Sequence, residues 1–136
     1  MKIKLIKYKE NYKYPNRAHF DDAGADIYML TDGKIHPNET LVIPVGFGLD
    51  LPNGTMAYMQ VRTSLAKQGL IVHQCAIDAG YKGEIHLIIH NLSKKTITWE
   101  AGDRLANLII LNVLLPDFVE DLGKSREDGS FGSTGR

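Results

Sequence analysis

"LVIPVGFGLDLP", residues 41–52, is the stretch whose reading decides the fold. Leu41, Ile43, Val45, Phe47, Leu49 and Leu51 share one parity, and Val42, Pro44, Gly46, Gly48 and Asp50 share the other. A period of two over this length belongs to extended chain with one buried face, whereas a helix needs apolar residues three and four apart. The stretch therefore reads as one half-buried strand or two collinear ones. Pro44 places it at a sheet edge, because proline has no N–H to give to a central ladder.

The same period recurs on both sides. In "MKIKLI" (1–6), Ile3 and Leu5 stand opposite Lys2 and Lys4. In "EIHLIIHN" (84–91), Ile85, Leu87 and Ile89 face one way and His86 and His90 the other. "TITW" (96–99) sets Ile97 and Trp99 against Thr96 and Thr98. Turn clusters at "TDGK" (31–34), "PNGT" (52–55) and "EAGD" (100–103) separate the runs. Short alternating strands between such turns predict an antiparallel sandwich or barrel. "DRLANLIILNVLL" (103–115) is expected to be a strand, although Leu105, Leu108, Ile109 and Leu111 also match a helix face. "TSLAKQGL" (63–70) predicts the one short helix, with Thr63 or Ser64 as its cap. Beyond Pro116 the sequence turns polar and Gly-rich with no period, which fits a frayed terminus. Phe131 inside "GSFGSTG" (129–135) also suits a flap that orders over a ligand.

At 136 residues, 43% of them hydrophobic, the chain suits one domain with a sizeable core. Sixteen basic residues balance sixteen acidic ones, and a formal net charge of zero argues against broad nucleic-acid binding. A single cysteine, Cys75, excludes an internal disulfide and a multi-cysteine zinc site. No apolar run reaches the roughly 18 residues of a membrane span, and "MKIKLIKYKE" has no signal-peptide core. A soluble, intracellular, cytoplasmic protein is expected. The histidines at 19, 36, 73, 86 and 90 show no metal-ligand spacing. His86 and His90 on one strand would stand roughly 13 Å apart by strand rise, too far to share an ion.

Five segments, in order, carry a family resemblance: "AGADIY" (23–28), "RTSLA" (62–66), "AIDAGYKGEI" (76–85), "GDRLANLI" (102–109) and "REDGSFGSTG" (126–135). Together they resemble the five motifs of the trimeric dUTP diphosphatases, the dUTPases. The resemblance spans residues 23–135 and implies an all-β, jelly-roll-like sandwich over 1–123. It also implies a flexible tail over 124–136 that closes on the nucleotide. It further implies a homotrimer with shared active sites: one chain gives 23–28, 62–66 and 102–109, a second gives 76–85, and a third gives the tail. The implied reaction is hydrolysis of dUTP to dUMP and pyrophosphate with magnesium, removing dUTP before polymerases use it.

On residues alone, Asp78 fits a turn carboxylate bonding its own backbone, and Tyr81 fits ordinary packing. The resemblance gives Asp78 the role of orienting and deprotonating the water that attacks the α-phosphorus. It puts the ring of Tyr81 beneath the deoxyribose, where a 2′-hydroxyl has no room. Small Ala79 and Gly80 would let the backbone come close. By position, Val72, Ala76 and Ile77 of a β-hairpin around 72–77 would read uracil through backbone groups, with His86 near the nucleotide. Arg62, Thr63 and Ser64 match the phosphate-binding segment. Asp26 matches the acid that holds magnesium through a water, a binding mode that suits this ion. Asn107 stands where the family usually has Gln, one methylene longer. In the tail, Arg126 matches a phosphate ligand and Phe131 the ring that stacks on uracil, with Gly132 and Ser133 beside it. Glu127 and Asp128 depart from the family's glycine-rich pattern there.

Two other readings compete. "SLAKQGLIVH" (64–73) also resembles dCTP deaminases, which use a Glu in the strand after the "IDxG" turn. Aligned on Gly83, that position is Ile88. No acid lies between Ile85 and Asn91, and the zinc deaminase signature is absent. A non-catalytic, nucleotide-responsive regulator on the same fold is the rival of a different class. Intact Asp78, Tyr81 and Arg62 argue against lost chemistry, while a regulatory protein partner remains open.

Overall fold

The computed structural model describes residues 1–123. Among these residues, eleven strands and one helical turn follow one another. The strands are β1 (Lys4–Lys7), β2 (Ala25–Tyr28), β3 (Gly33–Ile35), β4 (Thr40–Pro44), β5 (Phe47–Asp50), β6 (Thr55–Val61), β7 (Leu70–Val72), β8 (Ile77–Asp78), β9 (His86–Asn91), β10 (Ile97–Trp99) and β11 (Arg104–Asn112); α1 is Thr63–Ala66. Every pairing is antiparallel. One sheet runs β2-β11-β6-β8 and another β4-β9-β7, with the pairs β1-β5 and β10-β3 beside them. Buried faces from all of them meet in one apolar cluster that includes Ile27, Phe47, Ala57, Leu87, Trp99 and Leu108. This is the all-β sandwich expected from the period.

The deciding stretch forms two strands, but they are not collinear partners in one sheet. β4 pairs with β9 and β5 pairs with β1. The chain switches sheets at Gly46, whose φ of +88° is open to glycine and strained for other residues. Its carbonyl accepts from the Tyr8 and Lys9 N–H groups at 2.9 and 3.0 Å. Pro44 is at an edge as expected, since β4 is the outer strand of its sheet.

The 103–115 segment is a strand over Arg104–Asn112. It resembles a helix in sequence because its register shifts between Arg104 and Ala106, a bulge that resets the parity of the buried side chains. It is also an inner strand, between β2 and β6. Two expectations fail. The helix cap is Arg62, with no side-chain cap bond: Thr63 and Ser64 already lie inside the first turn, where their hydroxyls cannot cap it. Residues 72–77 are not a hairpin, because β7 pairs with β9 while β8 pairs with β6, so the chain crosses between sheets there.

Asn91 secures one end of the sandwich and has no solvent exposure. Its Nδ2 donates to the carbonyls of Ile35 and Lys95 at 3.1 and 2.8 Å, and its Oδ1 accepts from Ser93 N and Oγ at 2.9 and 2.7 Å. After β11 the chain carries Leu114, Leu115, Phe118, Val119 and Leu122 exposed to solvent. No helix among the described residues is long and apolar enough to cross a membrane. Arg126, Phe131, Gly132 and Ser133, with the whole 124–136 tail, lie outside the described residues.

Candidate active site

The turn after β8 is built by the core beneath it. Ile77 is buried and pairs with Ala57 of β6, which turns Asp78, the next residue, to the opposite face of the strand. Tyr81 N donates to the Asp78 carbonyl at 3.0 Å and closes the turn. The Asp78 carboxylate itself has no hydrogen-bond partner among the described residues. Other loop acids behave differently. Asp22, Asp32 and Asp103 accept backbone N–H groups from His19, Ala101 and Glu100 at 2.8–2.9 Å. Asp78 is thus not spent on its own loop, and the ordinary reading of a turn carboxylate does not describe it.

Tyr81 is 47% exposed, and its ring lies over Gly83, where a Cβ would sit 2.7 Å from the phenol oxygen. The hydroxyl donates to the Glu84 carbonyl at 2.8 Å. His86 Nδ1 lies 3.1 Å from the same carbonyl. A carbonyl only accepts, so this nitrogen carries the proton. The turn is tied down from below. Tyr8 Oη donates to the Lys82 carbonyl at 2.8 Å, and the Lys82 ammonium pairs with Asp50. That bond and the positive charge hold the Asp50 carboxyl below the usual carboxylate range. Gly48 makes room for the turn, since a Cβ there would meet the Gly83 and Lys82 carbonyl oxygens at 2.5 and 2.8 Å. At Gly80 nothing lies within 4 Å of a built Cβ, so this side of the turn is open space within the chain.

A cavity of about 260 Å³ opens beside this turn, and Ala76, Ile77, Asp78, Tyr81 and His86 line it. Ile88 contributes an apolar wall where a deaminase would need its acid. Val72 is buried in the core, paired with Ile89 of β9, and is not among the residues that line the cavity.

The remaining predicted residues gather elsewhere. Arg62 and Ser64 line a second depression, of about 320 Å³, together with Arg104; exposed Thr63 stands just outside it. Arg62 Nη1 donates to the Arg104 carbonyl at 3.2 Å, and Arg104 Nη1 pairs with Asp26 Oδ2 at 3.0 Å. Asp26 faces Asn107 in register, and Asn107 faces Gln60. The Asn107 Oδ1 is buried without a hydrogen-bond partner and lies against Gly24, where a Cβ would come within 2.6 Å of it. Sequence reasoning missed Arg104. The signal was available: a guanidinium at the head of a largely apolar strand invites an acidic partner, and Asp26 supplies it.

The two groups do not meet within one chain. The sheet order β2-β11-β6-β8 puts Asp26 and Asp78 on opposite edge strands. Asp26 is level with Gln60 and Asp78 with Met56, four residues apart along β6. Three strand spacings and four residues of rise put their Cα atoms about 20 Å apart.

The described residues thus form an antiparallel sandwich with an unpartnered acid and a half-exposed ring on one sheet edge, and a carboxylate paired with a guanidinium on the other. The dUTPase family profile matches residues 10–135. The deoxyuridine 5'-triphosphate nucleotidohydrolase of Corynebacterium glutamicum is 38% identical over 141 residues, covering 98% of this chain and 95% of the relative. That of Clostridium tetani is 38% identical over 142 residues, covering 100% and 97%. The fold is similar to the dUTPase from phage phi11 of S. aureus, with a TM-score of 0.84, 23% identity and coverage of 92% and 99%. A mutant of that phage enzyme, at TM-score 0.83 and 23% identity over 90% of this chain and 98% of its own, was solved with a structural Mg(II) ion. The chain belongs to the dUTPase family.

Proposed function

We propose that the protein hydrolyses dUTP to dUMP and pyrophosphate, with Asp78 as the acceptor of the water's proton. The observation that carries this reading is the Asp78 carboxylate, left without a partner on the wall of a cavity it shares with the Tyr81 ring. In the reaction a water oxygen bonds to the α-phosphorus while the bridging α–β P–O bond breaks, and the electron pair leaves with pyrophosphate. Asp78 accepts a proton from that water at a carboxylate oxygen. Tyr81, held at the base of the turn, presents its open face to the sugar and excludes a 2′-hydroxyl. Backbone groups at Ala76 and Ile77 are within the cavity wall to read the base, and His86 offers its second ring nitrogen beside them.

Arg62 and Ser64 bind phosphate oxygens by charge and hydrogen bonding. A magnesium ion that arrives with the nucleotide keeps several waters, takes phosphate oxygens as ligands and needs few from the protein. Asp26 would hold the ion through a water, with Arg104 fixing its other oxygen. When bound, the ion neutralises charge on the phosphates. The unpartnered Asn107 Oδ1 is an acceptor for an ordered water on this side of the site.

A site shared between copies supports both halves. Across about 20 Å of one sheet, Asp78 and Asp26 cannot serve one triphosphate, whereas a second copy brings the two edges together. Closed three-fold symmetry with head-to-tail contacts generates three such sites. The exposed Leu114, Leu115, Phe118, Val119 and Leu122 need cover of the kind an assembly provides. Under this reading residues 1–123 form the sandwich and 124–136 the closing tail, with Arg126 on phosphate and Phe131, Gly132 and Ser133 over the base.

The test is a panel of dUTP, dCTP, dTTP and UTP, assayed for pyrophosphate and for ammonia with and without magnesium. Pyrophosphate from dUTP alone, dependent on magnesium, is expected. Ammonia from dCTP, or no turnover of any nucleotide, would overturn the assignment.

A further inference from the structure

Glu84 takes no part in the chemistry just described, yet both ends of the residue are committed. Its side chain is only 18% exposed although it carries a charge. Its Oε2 accepts from the Gly46 N–H at 3.0 Å, and Lys9 Nζ lies 4.0 Å from Oε1. Gly46 is buried at the point where the chain changes sheets, so its N–H needs this acceptor. At the other end, the Glu84 carbonyl receives both the Tyr81 hydroxyl and His86 Nδ1. One residue thus joins the rigid sheet switch to two groups on the cavity wall.

We propose that Glu84 is the positioning residue for Tyr81, fastening to Gly46 so that its own carbonyl holds the phenol ring at the height that separates deoxyribose from ribose. This rests on the reading of Tyr81 as the sugar-facing ring. A Glu here could serve as a surface charge instead, but a charge seeking solvent would not be turned inward onto a backbone N–H. The hydrogen bond is what matters, because Gln offers the same acceptor oxygen to Gly46 without the charge.

The experiment measures kcat/KM for dUTP and for UTP and follows their ratio, with circular dichroism and melting to report folding. In Glu84→Ala the ratio should fall about five- to tenfold, as the loss of one orienting hydrogen bond implies. Glu84→Gln should keep it within about twofold. Tyr81→Phe, which removes only the hydroxyl, should lower the ratio to a similar extent. The double variant should lose no more than either single one, because both cut the same connection. A folded Glu84→Ala with the wild-type ratio would overturn the proposal. If Glu84→Ala does not fold, Tyr81→Phe decides, and an unchanged ratio there overturns it equally. A wild-type protein that fails to hydrolyse dUTP would instead sink the functional reading and this proposal with it.

Discussion

Replacing Gly48 with alanine would test how far the core dictates the chemistry. Gly48 sits on β5, inside the protein, and touches no nucleotide in the proposed site. A methyl there would lie 2.5 Å from the Gly83 carbonyl oxygen and 2.8 Å from that of Lys82. Ordinary contact begins near 3.4 Å, so Gly83 must retreat by about 0.9 Å (3.4 − 2.5) and Lys82 by about 0.6 Å (3.4 − 2.8). These are backbone atoms, and the Lys82 carbonyl is also held by Tyr8. The turn that carries Asp78 and Tyr81 has to move as a piece. A misplacement near 1 Å costs on the order of 10²-fold in rate, and overpacking costs about 1–3 kcal/mol of stability. Gly48→Ala should therefore melt lower yet fold, with kcat/KM for dUTP down roughly 100-fold. Gly80→Ala is the control for folding, since its Cβ meets nothing within 4 Å. A folded Gly48→Ala with kcat/KM close to wild type would refute the claim that this glycine seats the catalytic turn.

Asp78→Asn should lower kcat by roughly 10²–10⁴-fold with the fold preserved, and near-normal turnover would remove Asp78 from the mechanism. Mixing that variant with Arg62→Ala by co-refolding in equal amounts should restore about a quarter of wild-type activity. Half the sites draw Asp78 from an Arg62→Ala chain, and half of those draw Arg62 from an Asp78→Asn chain. Activity that stays at the sum of the two variants would place both residues in one chain's site. Asn91→Ala should cost roughly 3–5 kcal/mol in denaturant unfolding, because four hydrogen bonds go and buried partners are left unpaired. A loss under about 1 kcal/mol would mean that water replaces the amide at no great cost.

Much of the fold could be read from residue order because the sandwich obeys a period of two almost everywhere. Ile85, Leu87 and Ile89 are buried, and Ile97 and Trp99 are buried opposite exposed Thr98. What could not be read was which strand pairs with which. The segment 72–77 has the length of a hairpin, but its flanking strands find partners far away in sequence. Parity carries no information about such partners. The candidate residues Asp26, Arg62, Asp78 and Tyr81 were legible only through the five-motif resemblance, since on residues alone Asp78 fits a turn carboxylate and Tyr81 ordinary packing. Groups that act by spacing were not legible. Gly48 falls among the small residues of the outward parity, and nothing in "EIHLIIHN" singles out Glu84. Their importance comes from contacts across 35 and 38 positions of sequence, between Gly48 and Gly83 and between Gly46 and Glu84.

The sheet that keeps Asp26 and Asp78 about 20 Å apart also makes a solitary folded chain inert on the proposed reading. Catalysis then depends on how much protein is present as well as on how well each copy is made. For three copies in equilibrium with one, the assembled population grows with the third power of free chain, so serial dilution erodes specific activity long before it unfolds anything. A cell making the protein would see its dUTP-clearing capacity rise steeply over a narrow range of expression, and a single copy released early from synthesis would wait, complete but silent, for company.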